Sequence, residues 1–174
     1  MSLNAKLIKN LREKSGAGIV DCKNALLEND NDVDKAVDWL RKKGLSVAAK
    51  KSGRIAAEGL VGVHISNNQA CIIEINSETD FVSRNEQFQK FVSECSKIAL
   101  KSNGDLDSLL KSKFFESDNT VEDELTENVA TIGENLNIRR IEKVSLEVPG
   151  IIVSYVHNSV AENLGKIGVI LSLK

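Results

Sequence analysis

Proline occurs once in this sequence and aromatic residues make up 4% of it, which excludes collagen-like and Pro-rich chains. No apolar run approaches the roughly 18 residues that a membrane-spanning helix requires. The amino terminus, MSLNAKLIKN, has neither an apolar h-region nor an Arg/Ser-rich presequence, so no targeting signal is read and a cytoplasmic location is expected. Three cysteines, Cys22, Cys71 and Cys95, are odd in number and widely spaced. They suit neither a disulfide framework nor a zinc site, and each lies in an apolar pattern as a small buried hydrophobe. His64 and His157 each follow a valine in a strand-like run, without a cysteine or carboxylate at ligand spacing. No metal and no cofactor is expected.

What is present is a chain of 174 residues, 41% hydrophobic and 28% charged, long enough to bury a core. Its net charge of −2 hides an asymmetry: residues 1–54 carry 12 Lys/Arg against 7 Asp/Glu, and the remainder is acidic. A basic arm can bind RNA, but Trp39 is the only aromatic among those 54 residues. There is no stacking platform, and direct nucleic-acid binding is not expected.

Periodicity divides the chain. Leu3, Leu7, Ile8 and Leu11 recur at helical spacing, and the glycines of SGAG (Ser15–Gly18) break the pattern. A second helix from about Ile19 groups Cys22, Ala25 and Leu26. A third carries Val33, Ala36, Val37 and Leu40, and Gly44 reads as its C′ residue. Residues 1–54 are therefore expected to be a three-helix domain with a basic connector from Leu45 to Arg54. The period then changes to two. EGLVGVHIS and QACIIEINS read as a β-hairpin, followed by a helix from about Asn85 to Lys101, with Ser83 as a candidate N-cap, and another helix from near Thr120. Val144, Leu146 and Val148 alternate as a strand with one buried face. A first core unit is expected over 55–140, and a second, incomplete one over 141–174. The second echoes the first hairpin: glycine, an apolar strand ending in Val-His, a polar turn, another apolar strand. The fold class is α+β, a helical domain followed by an antiparallel sheet core with helices packed on it. An unfinished hairpin rich in Ile, Val and Leu predicts self-association or high mobility there, unless the hairpin extends the first sheet.

Between QACIIEINS and the following helix stand Thr79, Asp80, Phe81 and Val82. A phenylalanine at such a junction either staples its own helix or projects at something else. No phosphate loop, nucleophile elbow or Cys/His pair occurs, so no catalytic residue is assigned. A small enzyme would need Glu78, Asp80 and His64 in one cleft. An adaptor for the ribosome or a nascent chain would use the basic three-helix domain alone.

Five collinear blocks carry a resemblance: LREKSGAGIVDCKNAL (11–26), AAKKSGRIAAEG (48–59), TDFV (79–82), GENLNIRR (133–140) and YVHNSVAENLGKIGVIL (155–171). Their order resembles the bacterial elongation factor Ts family. The resemblance implies a nucleotide exchange factor for the GDP form of elongation factor Tu, with no covalent chemistry. It implies that Asp80 and Phe81, flanked by Thr79 and Val82, enter the partner near its Mg²⁺ and phosphate site. It adds Gly16, Ala17, Gly18 and Ile19, and the turn around His157, as further partner contacts. Serine stands at Ser15 where the family commonly has threonine, and the family's core continues beyond the point where this chain stops.

Overall fold

The computed structural model describes residues 5–102, 104–115 and 117–174. Helices α1 (Ala5–Ser15), α2 (Ile19–Glu28) and α3 (Val33–Lys51) enclose a small core. Leu11, Cys22, Ala25, Leu26 and Ala36 are wholly buried there, with Leu7, Ile8 and Val37 packed around them; Leu3 lies outside the described residues. Gly16 ends α1 at φ 65°, its N–H donating to the Arg12 carbonyl at 2.9 Å. This left-handed stop suits a residue without Cβ. Asp32 caps α3 by accepting from the amides of Asp34 and Lys35.

The third helix does not end at Gly44. It continues to Lys51, so most of the stretch expected as a connector is helical. Gly44 is buried, and a Cβ there would lie 3.5 Å from the Ala130 side chain. The glycine serves a close helix–helix approach, which a local reading of Lys-Lys-Gly as a cationic last turn does not reveal. Arg41 adds a bridge to Asp123 at 2.6 Å, and Ala48 packs against the larger core.

That core is built from β1 (Glu58–Ser66), β2 (Gln69–Ser77), α4 (Glu86–Lys101), α5 (Leu106–Lys111), α6 (Val121–Ile132), β3 (Leu136–Ser145), β4 (Ile151–His157), β5 (Leu164–Gly165) and β6 (Ile167–Leu173). One antiparallel sheet has the order β3-β2-β1-β5, and β4 pairs with β6 as a separate hairpin. The class is α+β. Helix α4 buries Phe88, Phe91, Val92, Cys95 and Ala99 against the face of the sheet that carries Leu60, Cys71, Ile73 and Ile75. Its N-cap is Asn85, which accepts from the Phe88 amide at 3.0 Å; Ser83 instead donates to the Asp80 carbonyl.

Strand β3 begins earlier than the Val144, Leu146, Val148 alternation suggests, and it crosses the boundary expected after residue 140. Glu74 pairs with Arg140 and Ile75 with Ile138, which leaves Arg139 bulged out of the ladder. The extra residue shifts the inward set from Leu136 and Ile138 to Ile141, breaking the period of two. Val148 is half exposed.

The opposite face of the sheet receives the β4–β6 hairpin. A Cβ on Gly168 would lie 2.7 Å from Val61 and 2.8 Å from Ile72. The same Cβ would lie 3.3 Å from Val63, which is buried although it points away from α4. The hairpin's other face is open: Ile151 opposes Leu173, Val153 opposes Leu171, Tyr155 opposes Val169 and His157 opposes Ile167. The seven apolar members of this ladder are all exposed.

Gly59 tests the β1 geometry. It has φ +124°, and a Cβ would meet the Ile75 carbonyl oxygen at 2.2 Å. Gly133 has φ +84° with open space around it. Gly59→Ala is expected to cost about 3 kcal/mol or more, strain and collision together, against about 1 kcal/mol for Gly133→Ala. Urea unfolding of the two variants checks this. Equal losses would show that β1 and β2 separate easily at this point.

Candidate functional site

The four residues Thr79–Val82 leave the end of β2 and form a short 3₁₀ turn, Asp80–Arg84. In the last ladder pair of the two strands, Ser77 of β2 opposes Leu136 of β3. Beyond it, side chains continue the ladder. Glu78 accepts from the Asn135 amide at 2.6 Å, while Glu134 accepts from both the amide and the hydroxyl of Thr79, at 2.9 and 2.6 Å. Each carboxylate thus holds the opposite segment. The 3₁₀ turn is closed by the Asn85 amide on the Val82 carbonyl at 2.9 Å. Ser83 and Gln89 add further bonds at its base.

Successive side chains of a 3₁₀ turn diverge by about a third of a revolution, and the two central residues separate accordingly. Phe81 is 76% exposed, whereas Val82 is 5% exposed and belongs to the core. Two of the four expected contact residues are engaged within the fold. The Val82 side chain faces inward, where the hydrophobic gain of burial fixes it. The Thr79 hydroxyl is occupied by Glu134. Asp80 and Phe81 are the exposed members of the motif, and Phe81 is not the staple of α4.

Glu78 is held below the ordinary glutamate range, chiefly by the Asn135 amide and further by Arg54, whose guanidinium lies 3.5 Å away. Such a group is a structural acceptor, poorly suited to proton transfer near neutrality. His64 is distant. It pairs with Cys71, while Glu58 pairs with Ser77 next to Glu78; six residues of strand separate the two levels, about 20 Å. Burial lowers the His64 pKa and pushes the Cys71 thiol up to about 11, so the pair behaves as strand residues. Glu78, Asp80 and His64 do not form a cleft.

The other expected contacts lie elsewhere. Gly16 is the stop of α1 and Gly18 the N-cap of α2, in extended conformation. Ala17 is half-buried; its amide donates to the Ser15 hydroxyl oxygen at 3.3 Å. That hydroxyl donates to the Leu11 carbonyl, a role threonine could share. Ile19, Val20 and Leu27 then form an exposed apolar strip on α2. His157 is on the open face of the β4–β6 hairpin, 3.0 Å from the Tyr155 hydroxyl. Three separate elements therefore carry the expected residues. Among the described residues there is no cluster of side chains that could hold a metal ion, and no helix is long and apolar enough to cross a membrane.

A turn bonded from both sides that presents an aromatic ring to solvent is the class of feature found at protein-binding surfaces. Comparison with known proteins gives the class a name. The model of the family described as elongation factor TS matches residues 78–174, more than half of the chain. Proteins named elongation factor Ts are similar over nearly the whole sequence: that of Methylobacterium nodulans is 53% identical over 173 residues, which is 99% of this chain and 56% of the relative. That of Rhodospirillum centenum is 52% identical over 172 residues, with the same two shares. The chain belongs to the elongation factor Ts family, and it spans little more than half the length of these relatives.

Glu78 makes the pedestal sensitive to acid. A depressed native pKa means that the contribution of Glu78 is fully present above about pH 4.5 and is lost as pH falls through the native value. Glu78→Gln should flatten the stability profile in that acidic window. Glu134→Gln should speed exchange of the Thr79 amide hydrogen at least about tenfold, since the loop can then open locally. Proton-resolved hydrogen exchange reads both. Unchanged protection at Thr79 would mean that the turn is held by its own backbone.

Proposed function

We propose that the chain is a nucleotide exchange factor that binds the GDP form of elongation factor Tu in the cytoplasm and speeds GDP release, without covalent chemistry and without binding nucleic acid. The observation that carries this reading is Phe81, 76% exposed on a turn that is bonded from both sides. A solvated aromatic contributes nothing to its own fold, yet its backbone is fixed, which is the arrangement expected of an anchor for another protein. Asp80 beside it supplies a carboxylate suited to the surroundings of a displaced Mg²⁺. Exchange then follows from linkage: factor and GDP each bind well alone and poorly together, so each weakens the other by the same factor. The Gly16–Ile19 loop with the exposed strip on α2, and the turn at His157, are the additional contacts of this reading. In this reading residues 1–54 are one unit, and the sheet core, which β3 carries across residue 140, is the other.

The open hairpin face has a role of its own in the isolated chain, which we propose self-associates through it: seven apolar side chains form one continuous ladder without a charged residue. Replacing Val153 and Leu171 with lysine should convert the associated species to monomer in sedimentation velocity. An assembly that survives the double substitution would place the contact elsewhere.

Phe81→Ala should leave the melting temperature within a few degrees, since an exposed ring leaves no cavity; a buried one would cost about 3–5 kcal/mol. Stimulated GDP release from elongation factor Tu should fall at least about tenfold, as expected when an aromatic anchor is removed from an interface. Asp80→Ala should act in the same direction, more weakly. Fluorescent GDP release measured with increasing amounts of chain checks both. Full stimulation by Phe81→Ala, or none by the unaltered chain, would overturn the reading. If the unaltered chain does not stimulate release but ribosomes retain it through residues 1–54, the adaptor reading takes its place.

A further inference from the structure

Among the described residues the most exposed large hydrophobic is Ile55, at 86%, ahead of Phe81. A solitary exposed isoleucine needs no explanation by itself. Ile55 is set apart by how it is mounted. The Arg54 amide donates to the Lys51 carbonyl at 2.9 Å, closing the turn after α3. The Arg54 carbonyl accepts from Asn135 Nδ2 at 2.7 Å, and its guanidinium lies on Glu78. Lys51 also donates to the Gly133 carbonyl. Four residues further on, Gly59 is pressed onto the Ile75 backbone.

Two of these partners, Asn135 and Glu78, also brace the base of the turn that carries Phe81. Asn135 bonds Glu78 through its amide and Arg54 through its side chain. Glu78 bonds Asn135 on one oxygen and faces Arg54 with the other. The segment carrying Ile55 and the turn carrying Phe81 are therefore two arms of one pedestal, joined through Asn135 and Glu78. Ordering an anchor in advance lowers the entropic cost of association, and a polar rim around an apolar centre is the usual anatomy of a protein interface.

We infer that Ile55 is a second apolar anchor for the same partner protein that receives Phe81, seated in an apolar depression of that partner next to the point where the ring enters. The inference rests on the proposed function. It assigns the two residues different parts: Phe81 acts on the nucleotide site and governs the maximal release rate, whereas Ile55 holds the complex together and governs the concentration needed to reach it.

The test is a titration of GDP release from elongation factor Tu with the full chain and its variants. Ile55→Ser should raise the half-maximal concentration roughly tenfold, the effect of removing one buried aliphatic side chain, with the maximal rate and the melting temperature unchanged. Ile55→Leu should restore the half-maximal concentration. Val148→Ser, at another exposed aliphatic residue, should behave as the unaltered chain. A half-maximal concentration for Ile55→Ser within twofold of the original, while Phe81→Ala is impaired, overturns this inference and leaves the exchange reading intact. A loss of maximal rate in Ile55→Ser equal to that in Phe81→Ala overturns the division of roles. Absence of stimulation by the unaltered chain removes both readings.

Discussion

Two carboxylates, Glu78 and Glu134, decide what this molecule can present to a partner. The antiparallel ladder between β2 and β3 ends at Ser77 and Leu136, where the chain must leave the sheet to make the exposed turn. Backbone amides released from a ladder need new acceptors. Glu78 and Glu134 supply them reciprocally, at 2.6 to 2.9 Å. Hydrogen bonds to charged acceptors contribute about 1.5–3 kcal/mol each, more than neutral ones. The turn is thereby fixed while its apex stays solvated. Because Arg54 reaches Glu78 and Asn135, the segment that follows α3 is tied in as well.

Magnitudes constrain how such a surface can work. Weakening GDP a thousandfold corresponds to about 4 kcal/mol, whereas burial of one phenylalanine supplies about 1.5–3 kcal/mol before the cost of association is subtracted. One ring does not suffice. The exposed strip on α2 and the arm carrying Ile55 supply additional apolar area on segments that are already ordered. On the proposed reading several rigid contacts share the work, which accounts for charged hydrogen bonds in a turn whose own core contribution is limited to Val82.

Much of this was legible in the sequence. The 3.6-residue stripes of α1, α2 and α4 and the alternation of β1 with β2 are local signals, and they correspond to the elements observed. The junction at Thr79–Val82 was legible as a place of interest because a strand pattern and a helix pattern meet there. Its inner and outer residues were not, since a 3₁₀ turn sends adjacent side chains in different directions and the period of neither flanking element applies. Gly44 misled for the opposite reason: its cationic neighbours are a local stop signal, and the contact with Ala130 that overrides them lies far away in sequence. Arg139 broke the alternation of β3 by bulging. Ile55 gave no pattern at all, standing alone in a polar and alanine-rich stretch. Its only signal is that a β-branched aliphatic residue is an uneconomical choice for a segment with no apolar neighbour to meet.

The β4–β6 hairpin shows how burial on two faces differs from burial on one. Its strands are apolar at both parities: Ile151, Ile152 and Val153 follow one another, as do Val169, Ile170 and Leu171. A strand with one face in water alternates, whereas continuous apolar runs belong to strands covered on both sides. The sheet covers one face, with Gly168 allowing β6 to lie directly on Val61 and Ile72. On the other, the ladder from Ile151 and Leu173 to His157 and Ile167 is apolar up to its last pair. Tyr155 and His157 satisfy each other's polar atoms at 3.0 Å, which lowers the cost of desolvating that end of the ladder. The open face thus matches the covered one in apolar composition, and the hydrogen-bonded Tyr155–His157 pair forms its polar end.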